Sequence, residues 1–102
     1  MAYTTEILQW HDYQIEVRYD PDPYHQAARN GVAMAHLEIR CLRPARAALP
    51  ISETGYRSVF MPDCYLKDYD SAADYVRQWL ECAAQTRAWQ DSLDQARQLS
   101  LF

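Results

Sequence analysis

The sequence is poor in glycine and has no long apolar run. Two glycines among 102 residues leave few positions where the backbone adopts a positive φ without steric cost. No apolar stretch approaches the roughly 20 residues of a membrane-spanning helix, and no signal peptide is recognisable. We therefore expect one globular domain in the cytoplasm.

Cysteine and histidine are scarce, and neither has a spacing that indicates chemistry. The chain has three of each: Cys41, Cys64, Cys82, His11, His25 and His36. An odd number of cysteines without paired spacing favours reduced thiols, and no pair has the spacing of zinc ligands. The sequence thus predicts no metal site. We expect Cys82 to be a small buried apolar group and His36 to be packed or hydrogen-bonded on a strand.

Sequence signatures of catalysis are missing as well. The chain has no nucleophile elbow, no phosphate-binding loop and no dinucleotide-binding glycine pattern. Carboxylates are plentiful, but no two lie in an apolar context that would separate their pKa values. We expect a protein that is not an enzyme and needs no cofactor.

The chain also lacks a basic excess. Its 14 acidic and 10 basic residues give a formal charge of −4. Proteins that bind nucleic acid usually carry a positive excess, because neutralising phosphates supplies most of their affinity. Direct nucleic-acid binding is therefore not expected, although Arg40, Arg43 and Arg46 lie close enough in sequence to form a local basic patch.

The first half of the chain has the alternation of β-strands. In residues 13–20, Tyr13, Ile15, Val17 and Tyr19 alternate with polar residues, which indicates a half-buried strand. Together with residues 4–10 this segment predicts a hairpin. After a loop over residues 20–31, a further strand follows over residues 32–43, with Leu37, Ile39 and Cys41 on one face. Residues 51–61 predict either a hairpin turning at Thr54-Gly55 or a loop followed by a strand over 56–61.

The second half of the chain has helical periodicity. Asp70 or Ser71 is expected to cap a helix, with Asp74 in its first turn. An apolar stripe follows at three- and four-residue spacing: Ala72, Tyr75, Val76, Trp79, Ala83 and Thr86. Trp89, Leu93 and Ala96 continue the stripe after a shift of roughly 70°, so we expect a kink or break near residues 85–87.

These elements predict an α+β domain over residues 1–97. Its antiparallel meander sheet of three to four strands precedes a C-terminal helix, kinked or broken into two, packed on one face of the sheet.

The chain ends in an apolar pentapeptide, formed by Gln98, Leu99, Ser100, Leu101 and Phe102. On a helical wheel started at Trp89, the three large apolar residues of this tail fall away from the stripe. Either the tail leaves the helix or it exposes these side chains. One alternative is that the tail packs into a groove on its own domain, and the other is that it binds a groove on a partner.

The five tail residues resemble the pentapeptide by which bacterial proteins bind the DNA polymerase III sliding clamp (beta subunit). All five positions match that pattern. The resemblance implies the clamp as a partner, with Leu101 and Phe102 as anchors in an apolar pocket and Leu99 against the groove's edge. The Gln98 amide would fix the peptide's register, and the small Ser100 would allow a bend between the anchors.

A second candidate surface lies around Gly55 and comprises Glu53, Thr54, Tyr56 and Arg57. One interpretation is a recognition loop. The other is an ordinary turn in which Gly55 supplies a positive φ and Arg57 pairs with Glu53. Residues 51–58 resemble a stretch found in small uncharacterised proteins of bacterial plasmids and other mobile elements.

Three classes of function remain open at this point. The leading interpretation is a bacterial adaptor that docks on the clamp and recruits a partner or competes with other clients. The second is an inhibitory or binding protein of a mobile element, such as an acidic protein that imitates DNA, with its tail packed on its own domain. The third is a small enzyme, which should have a deep pocket lined by convergent polar groups.

Overall fold

The computed structural model describes residues 3–24, 29, 31 and 33–99, with side chains up to residue 95. Four strands form one antiparallel sheet in sequential order: β1 Thr4–Trp10, β2 Tyr13–Asp20, β3 Met34–Arg43 and β4 Tyr56–Pro62. A short 3₁₀ helix, Asp63–Leu66, leads to α1, Ala72–Ala83, and α2, Arg87–Leu99. The predicted α+β meander with C-terminal helices is confirmed.

The first hairpin forms although its connecting residues, His11 and Asp12, are not a favoured turn pair. Trp10 pairs with Tyr13 to close the hairpin, and the two rings stack with their centroids 5.7 Å apart. His11 takes the positive φ of 50° that so tight a connection requires. Packing across the strand ends therefore outweighs the turn preference.

For residues 51–61, the alternative of a loop followed by a strand is correct. β4 begins at Tyr56 and pairs with β3 throughout, from Arg40↔Tyr56 to Met34↔Pro62. The preceding residues form a turn in which Leu49 and Ser52 bridge each other. They do not form a strand hairpin at Thr54-Gly55.

The helix boundaries follow the predicted signals. Ser71 caps α1, because its hydroxyl accepts from the backbone N–H of Asp74 at 3.1 Å. The predicted break is confirmed by residues 84–86, which separate α1 from α2. The prediction that Thr86 belongs to the apolar stripe is wrong, because this residue is exposed. Its hydroxyl instead accepts from the N–H of Trp89 at 3.3 Å and thus caps α2.

The buried face of α1 is also centred differently from the predicted stripe. Ala72 and Val76 are buried as expected, but Ala73 and Leu80 complete the buried set, while Tyr75 and Trp79 are half-buried. Cys82 is exposed, which corrects the expectation of burial. Two residues along a helix turn the side chain by about 200°, so Cys82 points away from the core that holds Leu80.

The core lies between α1 and one face of the sheet. Its largest fully buried side chains come from both layers: Ile15, Val17, Leu37, Ile39, Cys41, Val76 and Leu80. Burial of one such aliphatic side chain contributes roughly 1.5–3 kcal/mol. Within the part of the chain that the structure describes, no helix is long and apolar enough to cross a membrane.

Candidate partner-binding surfaces

The tail begins inside α2. Gln98 and Leu99 form part of the last turn of this helix, which ends at Leu99. Ser100, Leu101 and Phe102 lie outside the described residues. The expectation that the tail is available to a partner therefore stays a prediction.

The helix that carries the tail is attached to the domain near its N-terminus. Trp89 is buried beside Trp10, with ring centroids 6.4 Å apart, and Leu93 is half-buried against the core. The other α2 residues with described side chains, from Arg87 to Gln95, are exposed. From Trp89 to Leu99 the helix rises by about 15 Å, so it carries the start of the tail away from its anchor.

The predicted second surface is brought together only in part, because Glu53, Thr54 and Arg57 line one pocket and Tyr56 does not. Glu53 borders a groove beside Thr86 and Trp89 of α2. Arg57 lies on the helix-covered side of the sheet, where its guanidinium carbon lies 5.6 Å from the centroid of the Trp79 ring. Tyr56, one residue earlier on the strand, points to the opposite side.

The turn around Gly55 is organised by hydroxyl groups and not by an ion pair. Ser52 Oγ accepts from the N–H groups of Thr54, at 3.3 Å, and Tyr56, at 3.2 Å. Arg57 donates to the carbonyl of Ile51 at 3.2 Å, which corrects the expected pairing with Glu53. The positive φ predicted for Gly55 is confirmed at 75°.

The face of the sheet opposite the helices carries most of the exposed large apolar side chains: Tyr3, Ile7, Tyr24, Tyr56 and Phe60. Phe60 stacks on His36, with centroids 4.4 Å apart, and on Tyr24 at 5.8 Å. His36 is indeed hydrogen-bonded, since its Nε2 lies 2.7 Å from the Ser58 hydroxyl. This face is a flat aromatic surface suited to contact with another molecule.

The two tyrosines of the predicted strand alternation lie on the face of the sheet that the helices cover. Tyr13 and Tyr19 are half-buried, on the same face of β2 as the fully buried Ile15 and Val17. Burial raises the pKa of Tyr19 well above its usual range, and the hydrogen bond that its hydroxyl donates to Asp63 raises it further. Tyr19 is thus a neutral hydrogen-bonding core residue and not a contact residue.

Charges alternate on the uncovered face. Glu16 lies opposite Arg40, and Arg18 lies opposite Glu38 on the neighbouring strand. The guanidinium of Arg18 also lies 4.9 Å from the ring centroid of Tyr3. The continuous acidic row that imitation of DNA requires is therefore not formed by the described residues of this face.

The cysteines have no common site. Cys41 is buried, and burial raises the pKa of its thiol, although hydrogen bonds with the backbone oppose that shift. A thiol with a raised pKa is a poor nucleophile. Cys64 and Cys82 are exposed free thiols.

Comparison with known proteins gives one match. The family model of the KlcB third domain matches residues 3–89, which include the whole sheet, α1 and the first residues of α2. No curated protein and no solved structure matches the chain. The matched region stops before the pentapeptide.

Proposed function

The chain belongs to the KlcB third-domain family, which is associated with plasmids, and we propose that it docks on the DNA polymerase III sliding clamp through residues 98–102. In this proposal the chain is an adaptor and not an enzyme. The tail binds the clamp, and the domain either excludes other clients or carries a second partner.

The main support is that Gln98, Leu99, Ser100, Leu101 and Phe102 fit all five positions of the clamp-binding pattern. Among the residues whose side chains the structure describes, the buried core residues run from Trp10 to Trp89, and Leu93 is the last side chain packed against them. A short apolar peptide at the end of a helix is a suitable ligand for a groove on a partner.

Docking requires the last turn of α2 to open. Releasing Gln98 and Leu99 into an extended peptide breaks only the last two N–H to carbonyl bonds of the helix, and helix ends open at low free energy. Burying two leucines and a phenylalanine contributes roughly 5–9 kcal/mol, and ordering five residues costs about 1–2 kcal/mol each. These terms nearly cancel, so we expect moderate, exchangeable binding.

Two modes of action follow from the same attachment. A chain that occupies the clamp competes with other clients by its bulk alone. Recruitment needs a second contact, for which the uncovered face with Tyr24, Tyr56 and Phe60 is the best candidate. The alternative of an acidic DNA-imitating inhibitor has less support, because charges alternate on this face.

The test is binding of the intact chain and of a chain lacking residues 98–102 to immobilised, purified clamp. We expect the deletion to abolish binding, and Leu101→Ala with Phe102→Ala to weaken it by about 100-fold or more. The matched control is Ile7→Ala with Tyr65→Ala, because both of these large side chains are exposed elsewhere. This control should bind as the intact chain does.

The melting temperatures of the same variants separate docking from internal packing. If the tail only contacts the surrounding solvent in the free chain, deleting it leaves the melting temperature unchanged. A clear fall in that temperature, or equal clamp binding with and without the tail, contradicts the proposal. So does failure of the intact chain to bind.

A further inference from the structure

A cavity of about 530 Å³ opens at the start of β4. It is lined by Arg40, Arg46, Thr54, Gly55 and Tyr56. Two arginines, a threonine and a tyrosine therefore border one opening. In the part of the chain that the structure describes, neither arginine forms a salt bridge. Their positive charges are available to a ligand.

The backbone around this cavity is locked in place. Cys41 donates its N–H to the carbonyl of Gly55 at 2.8 Å, and Arg46 donates to the carbonyl of Cys41 at 3.2 Å. A Cβ atom at Gly55 would lie 2.6 Å from the carbonyl oxygen of Ala47, so only glycine fits there. The loop that carries Arg46 is thus held against the turn before β4, and the cavity exists before any ligand binds.

Arg46 has an unfavourable backbone conformation, with a φ of 57° in the left-handed region. For a residue with a side chain this costs on the order of 1 kcal/mol, and such strain is concentrated at functional sites. Glycine or asparagine adopts this region more readily. The backbone alone therefore does not favour arginine here, which points to a task for its guanidinium.

We propose that this cavity binds a nucleotide, with its phosphate held by Arg40 and Arg46 and its base stacked on Tyr56. Arginine binds phosphate oxygens through paired, charge-assisted hydrogen bonds. The Tyr56 side chain is 42% exposed, and the guanidinium carbon of Arg40 lies 5.7 Å from its ring centroid. An aromatic surface next to a cationic group is the arrangement on which bases stack.

The remaining groups limit what the cavity accepts. Tyr56 donates its hydroxyl to Glu38 at 3.4 Å, and Glu16 lies opposite Arg40 on the neighbouring strand, so two carboxylates partly offset the two arginines. The net charge of −4 also opposes the approach of a long polyanion. One nucleotide phosphate, on a free mononucleotide or at the end of a single strand, is the ligand that fits.

The test is calorimetric titration with AMP, inorganic phosphate and a 5′-phosphorylated hexathymidylate. We expect AMP to bind with a Kd below about 1 mM. Arg40→Gln and Arg46→Asn should each weaken binding by about tenfold or more, because each removes one cationic partner. Tyr56→Leu should weaken AMP binding while leaving the weaker binding of inorganic phosphate unchanged.

Arg87→Asn is the matched control, because it removes the same charge from a side chain that is 94% exposed on α2. It should bind AMP as the intact chain does. Since asparagine tolerates the left-handed region, Arg46→Asn should melt no lower than the intact chain. A loss of affinity in that variant then cannot be attributed to unfolding.

The titrations distinguish a free nucleotide from the phosphorylated end of a single strand. Equal affinity for AMP and the oligonucleotide indicates a free nucleotide, and at least tenfold tighter binding of the oligonucleotide indicates a strand end. The proposal is overturned if neither binds at millimolar concentration, if Arg40→Gln and Arg46→Asn leave affinity unchanged, or if a tetraglutamate peptide binds more tightly than both. Deleting residues 98–102 should not affect nucleotide binding. The nucleotide proposal and the clamp proposal can therefore be overturned independently.

Discussion

The two helices have nearly the same length but different relations to the domain. α1 buries Ala72, Ala73, Val76 and Leu80 against the sheet. α2 has one residue more, yet among its described side chains only Trp89 is buried. Both helices begin with a hydroxyl cap. The difference between them is therefore in packing and not in how they start.

This difference indicates separate tasks. α1 forms the second layer of the domain, and the sheet's core residues would be exposed without it. Among the side chains of α2 that the structure describes, Trp89 and Leu93 are the ones packed against the core, so we expect α2 to open locally at a lower free energy than α1. A helix that opens easily is suited to carry a peptide that must change conformation to bind.

The largest expected contrast comes from removing one leucine from each helix. Leu80→Ala leaves a cavity at a fully buried position and should lower the free energy of unfolding by about 2–5 kcal/mol. Leu93→Ala, at a half-buried position, should lower it by less than about 1 kcal/mol. Urea denaturation measures both. Equal losses would mean that α2 is as firmly packed as α1.

A smaller contrast comes from the two caps. Ser71→Ala removes the acceptor for the N–H of Asp74 and should cost about 1 kcal/mol of global stability. Thr86→Ala removes the matching acceptor for Trp89. It should instead speed amide hydrogen exchange within α2 and leave the global unfolding free energy almost unchanged. A global loss from Thr86→Ala would show that α2 unfolds together with the rest.

The smallest expected effect is the change in stability at low pH that follows from protonation of Asp74. Desolvation raises the pKa of Asp74, but hydrogen bonds from Arg77, from the N–H of Asp70 and from Gln78 outweigh it, and the pKa is lowered overall. The stabilisation by ionised Asp74 is therefore complete above the unfolded-state pKa and is lost as pH falls through the folded-state value.

Asp74→Asn should thus reduce the urea midpoint at pH 7 and have little effect at pH 2. The matched control is Asp91→Asn, which removes a carboxylate from an exposed pair with Arg87 on α2. Its midpoint at pH 7 should change less than that of Asp74→Asn. A reduction by Asp74→Asn that is equal at both values of pH would contradict the assigned role.

The strands were predictable because alternation identifies which face of each strand is buried. Ile15, Val17, Leu37 and Ile39 all lie where the period of two puts them. The buried face of α1 was less accurately predicted, since Tyr75 and Trp79 drew the expected stripe toward the edge of the helix. Leu80 is fully buried although it lies about 100° from Trp79 around the helix.

The candidate sites depend on tertiary contacts that a sequence pattern does not contain. Consecutive strand residues point to opposite faces, so Tyr56 and Arg57 are separated although they are neighbours in the chain. Three nearby arginines indicated a basic patch, but only Arg40 and Arg46 line the cavity at Tyr56. The contact between Gly55 and the 46–47 backbone determines that pairing, and no local propensity predicts it.

The sequential order of the four strands has a consequence for how the chain acquires its structure. Every strand pairs only with strands adjacent to it in the chain, so no pairing has to wait for a segment beyond the next strand. The entropic cost of closing a loop rises only slowly with its length, so the longer connections on either side of β3 add little to that cost. We expect this sheet to assemble one strand at a time as the polypeptide leaves the ribosome.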